Sequence, residues 1–226
     1  MNVFLVRHGL ARNNMPDPSQ CPYDPVFEEI EVAGDTSLSP QGELQATLTG
    51  KRLSKIRFDA ALVSPFHRTL STAAGILREQ SDRIPMEVMY ELVECGGSAF
   101  QLMPESLYKR IWSDVRLLWP NTLLKDDGET EWIRAERVVA YIKERFQAEE
   151  NVLVVSHGAF LSRFLIPALL GMTREQARAV NFGAENCGIS MLRFDKGVPA
   201  VAMVIDETGH LGEIISREPF NVKYGQ

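Results

Sequence analysis

Two short apolar runs end in the same way, and they restrict the fold more than any other feature of the chain. Val3-Phe4-Leu5-Val6 leads into Arg7-His8-Gly9, and Val152-Leu153-Val154-Val155 leads into Ser156-His157-Gly158. A continuous apolar run of this length suits a strand buried on both faces, as in parallel sheets covered by helices on both sides. In such open sheets ligands bind beyond the carboxyl ends of the strands. Both runs place a histidine at that edge, and these are two of only four histidines in 226 residues. Either motif alone is weak, since many strands end in a polar loop. The repetition carries the weight.

Between the two runs, strand and helix signals alternate. The first strand is expected over 2–6. Residues 10–39 have no clean period; they hold Pro16, Pro18, Pro22 and Pro25, then Glu28, Glu29, Glu31 and Asp35. This predicts a long loop, either functional or mobile or a solvated acidic surface. Beside a site, the acidity of 15–35 would discourage polyanionic substrates. Ser39-Pro40 starts a helix, with serine as cap and proline at the first position. Asp59–Val63 predicts a strand, and Ser64-Pro65 the opening of a second helix with Leu70, Ala73, Ala74 and Leu77 on one face. A strand over Met86–Met89 and a loop over 91–97 follow. Tyr108, Ile111, Trp112, Val115 and Leu118 fall at helical spacing and predict a helical lobe over 98–128. A long helix is expected over 130–148, another from His157 to Gly171, and late strands at Gly188–Phe194 and Ala200–Ile205. The last 20 residues are expected to be peripheral. This order predicts an α/β protein: a three-layer α/β/α sandwich with a mainly parallel central sheet and a helical lobe, inserted at about 84–128, over the active site. One domain over 1–226 is expected.

Composition narrows the function. The net charge is −6, which argues against a general nucleic-acid binder. A few arginines in a cleft still suffice for a local anion site. Arg7 interrupts the first apolar run, so no signal peptide and no membrane span are expected. The three cysteines, Cys21, Cys95 and Cys187, are odd in number and sparse. They predict reduced thiols and a cytoplasmic protein. No Cys/His cluster has zinc spacing, and no cofactor is expected.

The residues at the strand ends suggest anion chemistry. The fork of Arg7 suits phosphate or carboxylate, and His8 can be a nucleophile or a base. Arg68 falls in the first turn of a helix that follows a strand. A helix N-terminus already favours anions, and a cation placed against that dipole is explained by an anion between them. His67 beside it is expected to support the site or to lie on the surface. His157, just before a helix, is expected to be neutral and able to donate one N–H to a phosphate oxygen. A leaving oxygen needs a proton donor; the residues leave Glu91, Glu94 and Glu129 open, with capping competing at Glu129.

The ordered set of motifs resembles the histidine phosphatase superfamily, in its phosphoglycerate mutase-like branch. The resemblance rests on Arg7-His8-Gly9 with Asn14, Leu38-Ser39 with Gly42, Gln45 and Ala46, and Ser64-Pro65 with Arg68 and Thr72-Ala73. It continues through Leu92 with Glu94, Gly128-Glu129-Thr130 with Arg137, and Val155-Ser156-His157-Gly158. It implies that His8 attacks phosphorus and becomes phosphohistidine. Arg7, Arg68 and His157 would hold the phosphoryl oxygens, with Asn14 and Gly158 at the phosphate pocket, and Glu94 would protonate the leaving alcohol. It also implies catalysis without a metal. Leu10-Ala11 replaces the Glu-Thr common after Arg-His-Gly, and Glu94-Cys95-Gly96-Gly97 replaces the mutases' Glu-Arg run. Paired lobe arginines of the mutases are also absent. A phosphomonoester hydrolase acting on a small phosphorylated substrate is therefore favoured over a mutase. The rival from another class is a non-catalytic module that holds a phosphorylated ligand. Cys187 and Arg193 match the Cys-x5-Arg spacing of cysteine phosphatases, but Ile189-Ser190-Met191-Leu192 alternates like a strand, where no helix N-terminus stabilises a thiolate. No membrane or nucleic-acid partner is expected; exposed sheet edges permit a homodimer.

Overall fold

Both apolar runs become central strands of a seven-stranded sheet. The computed structural model describes residues 1–15, 17, 36–95, 116–118, 127–146, 150–195 and 200–214. The strands are β1 (Asn2–Arg7), β2 (Ala60–Val63), β3 (Met86–Met89), β4 (Arg116–Leu118), β5 (Asn151–Ser156), β6 (Ile189–Arg193) and β7 (Val201–Glu207). Their order is β4-β3-β2-β5-β1-β6-β7. The pairs from β4 through β1 are parallel, and β6 and β7 join antiparallel. The mainly parallel sheet expected from the sequence is thus present.

Successive side chains of a strand point to opposite faces, and each run serves two cores. Val3, Leu5, Val152 and Val154 face Val138 and Ile142 of helix α3 (Glu129–Arg145) and Leu161 and Leu165 of the helical stretch α4 (158–169). Phe4, Val6, Leu153 and Val155 face Leu53 of α1 (Pro40–Leu53) and Leu70, Ala73 and Ile76 of α2 (His67–Leu77). Here α4 denotes Gly158–Phe160, the π-helical turn Leu161–Leu165 and Ile166–Leu169, which follow one another directly. Pro167 withholds an N–H from this stretch, a recognised reason for a helical ladder to re-pair. The short helix α5 (Arg174–Arg178) is capped by Thr173. Among the described residues no helix is long and apolar enough to cross a membrane.

Three local expectations change. Helix α1 starts as predicted, with the Ser39 hydroxyl accepting the Gly42 N–H at 3.1 Å. Helix α2 does not: it begins at His67 after Phe66, with no side-chain cap. The Ser64 hydroxyl is used in the site instead. Within the stretch expected to be helical, Leu118 lies in strand β4, paired with Met89 of β3. Apolar spacing cannot see a free strand edge that needs a partner, and pairing with β3 satisfies both backbones. The remainder of the lobe, 98–115 and 119–126, and the acidic segment 18–35 lie outside the described residues. Finally, part of the tail is integral. Gly209–Ile214, two short 3-10 turns broken at Gly212, packs on α1 with Leu211 buried against Ala46 and Cys187. Gln41 and Gln45 both donate to the Ile214 carbonyl, at 3.0 and 2.8 Å.

Candidate active site

Arg7 ends β1, Ser64 follows β2, Glu94 follows β3, and His157 follows β5, so four strand ends meet at one edge of the sheet. Backbone pairing carries on past the strands there: the His8 N–H donates to Ser156 O at 3.0 Å, and the Ser64 N–H to Val155 O at 3.0 Å.

Arg68 joins the two histidines. Its Nε donates to His8 Nε2 and its Nη2 to His157 Nδ1, both at 3.3 Å. The rings meet edge to face with centroids 5.2 Å apart. His8 Nδ1 lies 2.7 Å from the Gly9 carbonyl oxygen. A carbonyl only accepts, so Nδ1 carries the proton and Nε2 keeps its lone pair. His157 has the opposite tautomer: its Nδ1 accepts from an arginine, which only donates, so Nε2–H donates to Ser64 Oγ at 2.7 Å. His8, Arg68 and His157 are 3%, 6% and 0% exposed. Burial first, then the Arg68 charge, then Arg7, pushes His8 well below the usual histidine range. Burial, then Arg68, lowers His157 in the same direction. Both imidazoles are therefore neutral at pH 7, the state in which a ring nitrogen can attack.

Arg7 lies beside this pair. Its Nη1 donates to the Ala184 carbonyl at 3.1 Å. A Cβ on Gly158 would lie 3.1 Å from Arg7 Nε, so glycine after His157 leaves room for the guanidinium. Gly9 makes a close contact of its own. A Cβ there would sit 2.5 Å from the Gly42 carbonyl oxygen, and one on Gly42 would overlap Leu10 O. Gly9 thus permits contact between the His8 segment and α1, a close approach of backbone to backbone. The segment is tied further by the Gly9 N–H to Thr72 Oγ1 at 3.0 Å and the Leu10 N–H to Gln45 Oε1 at 2.8 Å.

Of the three candidate acids, Glu94 is the one brought to the N-terminus of α4. Its Oε1 accepts the Cys95 and Phe160 N–H groups at 2.8 and 2.9 Å, and Oε2 accepts Ala159 N–H at 3.3 Å. Glu129 is exposed and lies 3.8 Å from Arg174, outside this cluster. Glu91 contributes its carbonyl to Arg134 at 3.1 Å. Asn14 ends a 3-10 turn, Arg12–Asn14; its Oδ1 is buried without a hydrogen-bond partner, and it makes no bond to the histidines. His67, left between support and surface by the sequence, is buried. The Cys187 thiol is pushed up to about 12 by burial, and β6 begins two residues later, so the cysteine-phosphatase alternative fails structurally.

Two site residues escaped the sequence reading. Ser64 looked like a helix cap and instead holds His157. Arg134, 1% exposed, donates to Val93 O at 2.7 Å and Glu94 O at 3.4 Å, lies 3.9 Å from Glu131, and covers the Phe160 ring at 4.6 Å. It fixes the Glu94 loop, whereas Arg137 of the motif is exposed. The signal for Arg134 was present: it lies on the inward stripe of α3, next to Ala135 and one turn before Val138.

A 2,3-bisphosphoglycerate-dependent phosphoglycerate mutase from Cytophaga hutchinsonii is 27% identical over 171 residues, 73% of this chain and 75% of the relative. A 2-carboxy-D-arabinitol-1-phosphatase from Triticum aestivum is 29% identical over 204 residues, 85% of this chain but 37% of that longer protein. The solved alpha-ribazole phosphatase from Shigella flexneri has the same fold, with a TM-score of 0.62 at 24% identity over 92% of this chain and 96% of its own. The family model for the histidine phosphatase superfamily (branch 1) matches residues 3–207, from β1 to the end of β7, and the chain belongs to that superfamily.

Proposed function

We propose that the chain is a phosphomonoester hydrolase that works through a phosphohistidine on His8, on a small phosphorylated substrate. The observation that carries this reading is the His8 tautomer: Nδ1–H is spent on the Gly9 carbonyl, and the lone pair of Nε2 meets the Arg68 guanidinium. In the first step Nε2 forms a bond to phosphorus as the ester P–O bond breaks. The ring becomes cationic, and the Gly9 carbonyl oxygen stabilises the Nδ1–H. Arg68 and Arg7 oppose the charge on the phosphoryl oxygens, and His157 and Asn14 are assigned to the same oxygens. Glu94 supplies a proton to the leaving oxygen. Oε2 suits that task, because it has one long N–H contact while Oε1 has two short ones. In the second step water attacks phosphorus, Glu94 takes its proton, the P–N bond breaks, and His8 returns to the neutral state.

The test is to quench the enzyme with base during turnover of p-nitrophenyl phosphate and look for an alkali-stable, acid-labile phosphoenzyme. His8→Ala is expected to abolish both this species and turnover; an active His8→Ala enzyme would sink the reading. The similarity to the Cytophaga mutase supports a second reading. Efficient formation of 2-phosphoglycerate from 3-phosphoglycerate with a bisphosphorylated primer would favour it over hydrolysis.

A further inference from the structure

The nucleophile segment is held from behind by a loop, Gly183–Gly188, that enters by three hydrogen bonds. The Ala184 carbonyl accepts from Arg7 Nη1, Asn186 Nδ2 donates to the His8 carbonyl at 2.8 Å, and the Cys187 N–H donates to the Arg7 carbonyl at 3.0 Å. The loop itself is organised around the carboxylate of Asp206, a residue of β7. Asp206 Oδ1 accepts the Glu185 N–H at 2.8 Å, and the Asp206 N–H donates to Ser190 Oγ at 2.9 Å. A Cβ on Gly183 would lie 2.5 Å from Asp206 Oδ2, and one on Gly188 would overlap Oδ1. The carboxylate therefore fills space that glycine at both positions leaves open. The pairing of β6 with β7 slips between Ile189 and Met191, opposite this part of β7. Such a bulge re-aims side chains.

The backbone is strained to achieve this. Among the described residues, two that are not glycine have positive φ: Cys187 at 57° and Asp206 at 53°. Both belong to this brace. Backbone strain of this kind persists where the surroundings over-determine it, and it concentrates at functional sites. Burial also raises the Asp206 carboxyl, against the pull of the Glu185 N–H and the Arg7 charge. A half-buried carboxylate kept in an unfavourable backbone conformation is not what stability alone selects.

We infer that Asp206 is a positioning residue: it braces the Gly183–Gly188 loop so that the loop fixes Arg7 and His8 for attack on phosphorus. The inference rests on the phosphohistidine reading for its kinetic consequence, but the brace itself has an independent readout.

The experiment compares Asp206→Gly, Asp206→Asn and Gly183→Ala with wild type. Glycine tolerates positive φ without strain, so Asp206→Gly is expected to keep or raise Tm while the rate of His8 phosphorylation falls roughly tenfold or more, as small misplacements at a reacting centre do. Asp206→Asn retains an acceptor for Glu185 N–H and tolerates positive φ; it is expected to recover most of that rate. Gly183→Ala crowds the carboxylate without removing it and is expected to slow phosphorylation as well. Nitrogen NMR shifts of the His8 ring should change in Asp206→Gly, even without substrate. Phosphorylation within twofold of wild type in Asp206→Gly, or activity that falls only in step with Tm across the variants, would overturn the brace. So would unchanged His8 ring resonances. Failure of wild type to form a phosphoenzyme would overturn the reaction instead, and the ring resonances would still report on the brace.

Discussion

The side of the site proposed as nucleophile and the side proposed as acid are built by different physics. On the nucleophile side, His8, Arg68 and His157 are buried, their tautomers are set by groups that can only donate or only accept, and burial keeps both rings neutral. On the acid side, Glu94 is half-buried and held by three backbone N–H groups, while Arg134 grips the carbonyls of its loop. One side is prepared by desolvation, the other by hydrogen-bond donors on a helix end. The lesson is that burial keeps an imidazole neutral, because it penalises the cation, whereas backbone donors hold a carboxylate in place by meeting its charge.

Several changes would break or sharpen this contrast. The largest, after loss of His8 itself, is Arg68→Ala, which removes a charge from both histidines and from the phosphoryl group. A fall in kcat of about 10²–10³ is expected. The acid limb of the pH–rate profile should also move up, because Arg68 is one of the causes that lower His8. A profile that stays in place would mean that burial alone keeps His8 neutral. Next is Glu94→Gln, expected to cost about 10²-fold on alkyl phosphates and much less on p-nitrophenyl phosphate, whose leaving group needs no proton. Equal slowing of both would move the proton donor elsewhere.

Acid lability of the fold separates the sides by stability. Both histidines are depressed in the native state, while the unfolded chain takes up protons near the usual value of 6.5. Their contribution is thus fully present above about pH 6.5 and is lost as pH falls below it toward the depressed native values. Urea midpoints should fall more between about pH 7.5 and 5 for wild type than for His8→Gln, which keeps one such group; parallel curves would remove the burial argument. The smallest effect is expected for Ser64→Ala. It withdraws one hydrogen bond from His157, worth about 1 kcal/mol, and kcat should fall several-fold with little change in KM.

Sequence reading located a residue where it is anchored to a strand end. Arg7 ends a buried strand, and His8, Arg68 and His157 each follow one within a few residues, so knowledge of the strand gives the location. It was incomplete where position depends on a helix crossing the site from elsewhere. Arg134 belongs to α3 yet fixes a loop after β3, some 40 residues earlier in the chain. Ser64 was misassigned because a serine before proline has a local use as a cap, and only the proximity of His157, |i−j| = 93, reveals the other use. Leu118 was placed in a helix for a similar reason, since strand pairing with β3 has no local signature.

By itself, the sequence determined the buried strands, through continuous apolar runs that can serve two cores, and the polar groups at their ends. It also determined the family, because the order of motifs along 3–207 survives at low identity. Tertiary structure alone decided which nitrogen of each histidine carries the proton, which carboxyl meets the α4 N-terminus, and that Asp206 meets the loop bonded to Arg7 and His8. These depend on directional contacts between groups far apart in the chain, and a hydrogen bond is chosen by distance and angle in space, not by neighbours in sequence.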